Sequence, residues 1–567
     1  MKKQIILFFF LLTCFFATVI NLIANNKIVF TFDGGSYFNF FITASSNKQF
    51  TINWGDASEI ETKTGTGNPE SFWHYYENSD NYTVVITGTT MDCFFTRFDS
   101  YNEQSSTQLT NLDLSHCAAL ISLNCTGNKL STLDLSNNVN LEYLSCSGNQ
   151  LSTLDLCINI ALKVLRCADN QLTYLDLSNN TALVSLNCED NQLSNLILSN
   201  CTSLNYLYCS NNLLTTLDIS NKKDLKELYC LNNQLKELNI TNNTLLKSLA
   251  CSNNHLSVLD LINNPSLEHL NCEDNQLSDL YLNNKMDLRV LYCSSNLLQA
   301  LDISDCMLLY YLYCSDNLLT TLDVSNNWYL NELICNGNRL NTLKLGTKPG
   351  LQWFNCSNNQ LSNLDLSKCT FLNWINICNN QLPLSELFLA SKMINYPLSI
   401  ELGTQRLPKK KIEVEAFVDY SSQIKFDGIY SVFVVEKNGS LALPSDFSID
   451  NGFITFHNIG NYIVNMKNSA IISNPDYPAE VIAEINVGLV GISEMAQQSN
   501  LKLFPNPVTN ILNIETFNSN KIPETKIYSI QGTLLLNTKG NQIEVSFLPR
   551  GIYIAEIDGT CRKFVKQ

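Results

Sequence analysis

The chain has little of what chemistry at a site usually requires. Histidine occurs five times in 567 residues, at His74, His116, His255, His269 and His457, and none stands at metal-ligand spacing from another ligand. No G-x-S-x-G, phosphate-binding P-loop or H-E-x-x-H occurs, so the common nucleophile, nucleotide and zinc-hydrolase signatures are missing. No C-x-x-C pair occurs, which removes the usual support for zinc. Lysine and arginine number 36 against 52 acidic residues, a net charge of −16. That balance argues against nucleic acid and against anionic membrane surfaces as partners. The acidic residues are spread through the chain, so no carboxylate pair stands out. From these absences we expect no catalytic residue, no cofactor and no metal centre.

What the chain has in abundance is one unit, repeated. Leu141-x-x-Leu144-x-Cys146-x-x-Asn149-x-Leu151-x-x-Leu154-Asp155-Leu156-x-x-Asn159-x-x-Leu162 recurs every 21 residues between about Leu109 and Leu387. Cysteine returns at 125, 146, 167, 188, 209, 230, 251, 272, 293, 314, 335 and 356, and asparagine follows each by three, from Asn128 to Asn359. The register survives once more at Asn380, where Ile377 replaces the cysteine. Thirteen units at a fixed period mean a stacked array. Leu144 and Cys146 alternate with Tyr143 and Ser145, as on a strand with one buried face. The asparagine falls where the chain must turn, and its amide can pair backbone groups otherwise left alone. The second half of the unit, L-x-x-L-D-L-S-x-N, repeats the theme and predicts extended segments on a second face.

The pattern resembles the nested 21-residue bacterial leucine-rich repeats known as the IRREKO type. The resemblance covers about half the chain and implies a solenoid with a parallel sheet and one continuous core. A longer echo, Asn221 to Cys230 returning as Asn284 to Cys293, hints at block duplication. Of the 21 cysteines, twelve share the inward slot, and Cys117, Cys201, Cys306 and Cys369 replace the second-half asparagine. We expect buried reduced thiols, because free cysteine packs as a small hydrophobe. Neighbours about 5 Å apart in a parallel stack point the same way, which is poor disulfide geometry.

Around the array the length leaves room for further domains. Met1-Lys-Lys, the apolar run Ile5 to Ile23 and Ala24 read as a signal peptide, residues 1–24. Cys14 is followed by more apolar residues and makes a poor lipoprotein cysteine. Residues 25–103 alternate in strand fashion. Ile52-Asn-Trp-Gly-Asp56, His74-Tyr-Tyr and Asn81-Tyr-Thr-Val-Val-Ile resemble the PKD-like immunoglobulin-type sandwich of bacterial surface proteins. Ala57 stands where glycine is usual, and Asp56 reads as a turn aspartate sooner than as a metal ligand. The solenoid with its caps occupies 104–392, Leu384 to Lys392 forming a short capping helix. Residues 400–490 return to strand patterns and read as a second β-sandwich, with Lys409 to Lys411 on a solvated edge.

Residues 500–567 carry Leu503-Phe-Pro-Asn-Pro507, Ile527-Tyr-Ser-Ile-Gln-Gly532, Leu548-Pro-Arg-Gly-Ile-Tyr-Ile554 and Arg562-Lys-Phe-Val-Lys566. These blocks, in this order, resemble the carboxy-terminal sorting domain of type IX secretion in Bacteroidetes. The resemblance implies engagement of the type IX machinery, export through the outer membrane, and anchoring at the cell surface or release. It also implies no transmembrane span in the mature form. The fold expected is thus β-rich and multidomain: a leucine-rich repeat solenoid of about thirteen 21-residue repeats flanked by β-sandwich domains.

Two surface features are candidates for function. An aspartate series runs between the second-half leucines: Asp113, Asp134, Asp155, Asp176, Asp218, Asp260, Asp302, Asp323 and Asp365, interrupted at Ile197, Asn239, Tyr281 and Lys344. Calcium along this stripe is one reading; a solvated stripe bonding serine hydroxyls and backbone amides is the plainer one. The other feature lies at the outward strand positions: Tyr206, Tyr208, Tyr229, Tyr292, Tyr311, Tyr313, Trp353 and Trp374, with Tyr143, Glu227, His269 and Glu332 among them. Tyrosine and tryptophan offer rigid contact area with a polar handle, and they also form stabilising cross-strand ladders. The expected function is a secreted or cell-surface recognition and adhesion protein that binds protein or glycan through this face, without catalysis. A structural stalk, or an accessory role in extracellular polymer degradation, is the alternative.

Overall fold

A solenoid coil must pair its backbone with the coils on either side, and the repeat supplies the means. In the computed structural model each L-x-C segment is a three-residue strand, such as Tyr143–Ser145, paired in parallel register with Ser122–Asn124 before it and Val164–Arg166 after it. Fifteen strands make one parallel sheet: one from each coil between Ser122–Asn124 and Trp374–Asn376, with Phe94–Phe95 at one end and Ile400–Glu401 at the other. The structure describes residues 26–35, 37–88, 94–95, 108–394, 396–488, 501–516, 523–529, 533–557 and 560–567. The signal peptide of residues 1–24, Cys14, and residues 530–532 of the sorting motif lie outside them.

The inward repeat leucines, apart from the partly buried Leu343, and the cysteine ladder are buried. Each described ladder thiol is free, and burial pushes Cys125, for example, up to about 12. The asparagine three residues on is buried too and holds the turn. Asn149 Oδ1 accepts the Leu130 amide at 3.0 Å, and its Nδ2 donates to the carbonyls of Cys125 and Cys146 at 3.0 Å each. The residue just before this asparagine takes a left-handed φ: Gly127 (74°), Gly148 (64°), Asn211 (56°), Asn232 (53°) and Asn253 (51°). Glycine, asparagine and aspartate tolerate that region best, which accounts for their monopoly there but for Ser295 (54°).

Both ends of the array are closed. Strand Gln108–Asp113 pairs antiparallel with Asn26–Asp33 and so joins the first coil to the amino-terminal five-stranded sheet. At the far end the helix Leu384–Ser391 follows the last full coil, burying Leu384 and Leu387. Strand Ile400–Glu401 then adds to the sheet. Gln405 stands in for the missing next asparagine. Its Oε1 accepts the amides of Asn380 (3.1 Å) and Leu382 (3.3 Å), and its Nε2 donates to the Ile377 carbonyl at 2.9 Å.

The second halves of the coils are mostly extended without forming strands. Two short ladders occur, Tyr174–Asp176 with Asn195–Ile197 and Thr321–Asp323 with Thr342–Lys344. In the latter, Lys344 Nζ donates to Asp323 Oδ2 at 3.2 Å, so a cation separates what would otherwise be stacked carboxylates.

In the amino-terminal sheets the W-G-D motif forms a buried knot. Trp54 is fully buried and stacks on His74, with ring centroids 4.9 Å apart. His74 Nε2 lies 2.7 Å from Asp56 Oδ2, and Asp56 Oδ1 accepts the Ser58 amide at 3.0 Å. The turn closes with Ala57 at φ 64°, in the region glycine would occupy at no cost. Burial opposes ionisation of Asp56, but hydrogen bonds from Ser58 and His74 outweigh it and hold the pKa at about 2. The depressed pKa stabilises the fold above the unfolded value of roughly 3.9 and loses that contribution as pH falls through 2. Asp56→Asn is therefore expected to cost on the order of 2 kcal/mol at pH 7. Acid titration followed by Trp54 fluorescence should show this step in the parent and not in the variant.

The described residues fall into two compact units: those up to 407 with 425–431 and 466–482, and the remainder. The second unit contains a three-stranded antiparallel sheet, Phe417–Asp419, Phe453–Phe456 and Phe447–Asp450. Its carboxy-terminal part has a three-stranded and a four-stranded sheet around Val508, Leu512, Ile527, Ile543, Val545 and Phe564. The fold class is thus the expected one, a β-rich chain built on a parallel solenoid with further β-sheet regions.

Candidate recognition surface

Parallel in-register pairing sorts the outward residues into two rows. The first row holds Tyr143, Tyr206, Glu227, His269, Tyr311, Glu332, Trp353 and Trp374; the second holds Arg166, Tyr208, Tyr229, Tyr292 and Tyr313. All eight aromatic residues singled out in the sequence lie on this one face. They do not form one continuous ladder. Ser248, Ala250 and Asn271 interrupt them after Tyr229, and Glu332 and Ile334 separate Tyr311 and Tyr313 from Trp353, so three groups result.

In the first group Tyr208 Oη donates to Glu227 Oε2, one coil on, at 2.6 Å. The Tyr208 and Tyr229 rings meet edge to face with centroids 5.1 Å apart, and Ser248 Oγ donates to Tyr229 Oη at 3.3 Å. The second group repeats the tyrosine–glutamate bond, with the packed ring on the preceding coil instead of the following one. Tyr313 Oη donates to Glu332 Oε2, and the Tyr292 ring packs on Tyr313 at 4.6 Å. Partial burial and the neighbouring glutamate raise the phenol pKa of both Tyr208 and Tyr313 above its ordinary value. In the third group Trp353 and Trp374 lie 5.8 Å apart. Trp374 Nε1 donates to Glu401 Oε1 at 3.2 Å, and Asn376 Nδ2 donates to Glu401 Oε2 at 2.6 Å. Trp353 is the most open of the eight, 46% exposed.

The sequence reading missed Arg166, Ser185 and Asn187. With Tyr206 and Tyr208 they line a depression of about 430 Å³ on this face. The Arg166 guanidinium also sits 5.9 Å from the Tyr143 ring centroid, within the range of a cation–π contact. The signal was available: these residues occupy the same outward slots as the aromatics. Glu401 was missed because it lies beyond the last repeat, where no period points to it.

The aspartate series lies on the second face and is taken up by turns. Asp134 Oδ1 accepts the Ser136 amide at 2.9 Å, Asp155 that of Cys157 at 3.0 Å, and Asp323 that of Ser325 at 3.0 Å. These bonds hold the carboxyls below their usual range. The serine hydroxyls of Ser220 and Ser325 add further bonds to Asp218 and Asp323. Depressions of about 370 and 260 Å³ lie along this face around Asp155. Among the described residues no three His, Cys, Asp or Glu side chains are grouped so as to hold a metal ion. None of the described helices is long and apolar enough to cross a membrane.

Comparison with known proteins adds two findings. Residues 502–567 match the secretion system C-terminal sorting domain. In structure the chain is similar to the functional domain of InlJ from Listeria monocytogenes, which includes a cysteine ladder: 26% identity, 67% of this chain, 89% of that one, TM-score 0.55. YopM, a leucine-rich effector protein from Yersinia pestis, is matched at 26% identity over 47% of this chain and 80% of that one, with a TM-score of 0.38. No curated protein matches in sequence. The fold is therefore that of a leucine-rich repeat solenoid, and the carboxy terminus carries the type IX sorting domain that directs a chain to secretion and the cell surface.

Proposed function

We propose that this is a non-catalytic recognition protein of the cell exterior, whose solenoid binds an extracellular protein or glycan through the outward strand face. In this reading the repeats are of the nested 21-residue type, and the amino-terminal PKD-like sandwich is a spacer that also caps the array. An amino-terminal signal peptide starts the export that the sorting domain completes. The observation that carries the reading is the grouping of half-buried tyrosines and tryptophans, each group with a carboxylate, on one regular face. Aromatic rings at such density are the usual anchors of contact surfaces.

A stalk is the second reading, and it too has an observation behind it. The Tyr208 hydroxyl is already bonded to Glu227 and its ring to Tyr229, as in a ladder that serves the sheet. A screen of the full-length chain against glycans and extracellular proteins separates the two. Under the recognition reading, Tyr311→Ala/Trp353→Ala weakens a hit by tenfold or more with the melting temperature little changed. A stalk yields no ligand, and the same double variant loses stability. A hit that the variant retains in full moves recognition off this face.

A further inference from the structure

Thirteen residues of this chain are written twice. Tyr206-Leu-Tyr-Cys-Ser-Asn-Asn-Leu-Leu-Thr-Thr-Leu-Asp218 returns as Tyr311-Leu-Tyr-Cys-Ser-Asp-Asn-Leu-Leu-Thr-Thr-Leu-Asp323, with Asn211 replaced by Asp316 as the one change. A glutamate follows each copy one coil later, Glu227 and Glu332. The copies stand five coils apart, and they reproduce the same surface chemistry. In both, the second tyrosine of the Tyr-Leu-Tyr strand bonds the next coil's glutamate; a third tyrosine also packs on it, Tyr229 from the following coil in one copy and Tyr292 from the preceding coil in the other. Between them the rows carry Ser248, Ala250 and Asn271, so the patches are separate.

The strands are parallel and in register, so the two Tyr-Leu-Tyr/Glu sets share one orientation and differ by a shift along the array of about 24 Å, five strand spacings, the flanking third tyrosine alone standing on opposite sides. That relation selects among partners. A two-fold partner presents its copies in opposite directions. A directional polymer of repeating units presents the same group again and again in one direction. Each patch offers tyrosine ring faces beside a carboxylate that accepts hydroxyl donors. A sugar ring has an apolar C–H face and hydroxyls at its rim, which is the complementary pattern. The carboxylate in each patch, and the net charge of −16, disfavour anionic polymers.

We propose that the two Tyr-Leu-Tyr/Glu patches are equivalent subsites for one uncharged, unbranched polysaccharide lying along the strand face. The proposal rests on the recognition reading above and names its ligand. A chain engaging both subsites gains by effective concentration over a fragment that reaches only one.

The test uses the full-length protein with soluble unbranched glucan, mannan and xylan, and the disaccharide and tetrasaccharide of each. Calorimetry should find two short oligosaccharides bound per chain, and the polymer bound at least tenfold more tightly. Tyr208→Ala and Tyr313→Ala should each reduce the oligosaccharide count to one and bring polymer affinity down to the oligosaccharide level. Glu227→Gln and Glu332→Gln, which keep the shape of the patch, should weaken binding at one subsite each and serve if an alanine variant misfolds. A single oligosaccharide per chain, or loss of all binding from one variant alone, overturns the two-subsite assignment. A protein hit in the screen with no polysaccharide bound overturns it and leaves recognition standing. No ligand of either kind overturns both.

Discussion

Asn254→Ala is expected to lower the unfolding free energy by about 3–5 kcal/mol, more than any single leucine truncation at the surface of the array. Asn254 is 4% exposed. Its Oδ1 accepts the Leu235 amide at 3.0 Å, and its Nδ2 donates to the carbonyls of Cys230, Cys251 and Ser252 at 3.0, 3.1 and 3.2 Å. Alanine leaves the buried Leu235 N–H without a partner, at about 1–3 kcal/mol, and takes one of two donors from each of the three carbonyls, which keep Asn233 Nδ2, Asn275 Nδ2 and the Asn232 amide, at about 0.5–1.5 kcal/mol per bond. The bonds also tie two successive coils, so the loss falls on an interface that holds the array together. Asn243→Ala is the control. That side chain is equally buried, but it makes only two bonds, to the carbonyls of Ile219 (3.1 Å) and Lys222 (2.8 Å), and its Oδ1 makes none. It should cost about half as much. Urea denaturation of the two variants checks the ranking, and equal losses would mean that backbone satisfaction does not set the value of the ladder.

The ladder was legible because a coil that must satisfy the same backbone groups on every turn needs the same side chain on every turn. Cys146 and Asn149 therefore announce their roles through periodicity alone. The left-handed residue before the asparagine was written in the sequence as well, in the run of Gly127, Gly148, Asn211 and Asn232, but its meaning depends on a φ angle that no period reveals. The ends were harder. Gln405 takes over the asparagine's bonds from a segment with no repeat, and only the folded chain brings it to Asn380. On the candidate face the residue types were legible and their grouping was not. Tyr208 and Glu227 are 19 residues apart, and nothing in either says that they meet until the register of adjacent coils is fixed.

Three lysines escaped notice for a different reason. Lys222, Lys285 and Lys348 occupy the slot of the second-half asparagine, three units apart, and each is fully buried or nearly so. A lysine in a polar-looking turn reads as solvated; here position outweighs residue type. Each has a cysteine in the same slot one coil away, Cys201, Cys306 or Cys369, whose small side chain leaves room for the longer one. Lys222 uses that room to donate to the Leu198 carbonyl at 2.8 Å, the bond an asparagine would make.

Lys348 gains far less from its place, and Lys348→Met is expected to stabilise the protein by about 2–3 kcal/mol at pH 7. Its Nζ reaches the Thr347 carbonyl only at 3.5 Å. Burial pulls its pKa down to about 8, against the opposing pull of Cys369 and Asp323. In the unfolded chain the group titrates near 10.4. Between those values the unfolded state binds more protons than the folded one, so stability rises with pH through this window. Below it both states are protonated, and the folded state bears the full cost of a charge away from water. Methionine has a similar volume and no charge to bury. Denaturation at pH 7 and at pH 10 should therefore show the variant ahead at pH 7, with the parent closing the gap as its amine loses the proton. A variant that is less stable at pH 7, or a gap that does not narrow with pH, would show that the Lys348 amine keeps a solvated charge in the folded chain. By the same reasoning Lys222→Met should gain less, because it gives up the 2.8 Å bond to the Leu198 carbonyl, which is left with the Cys201 amide alone.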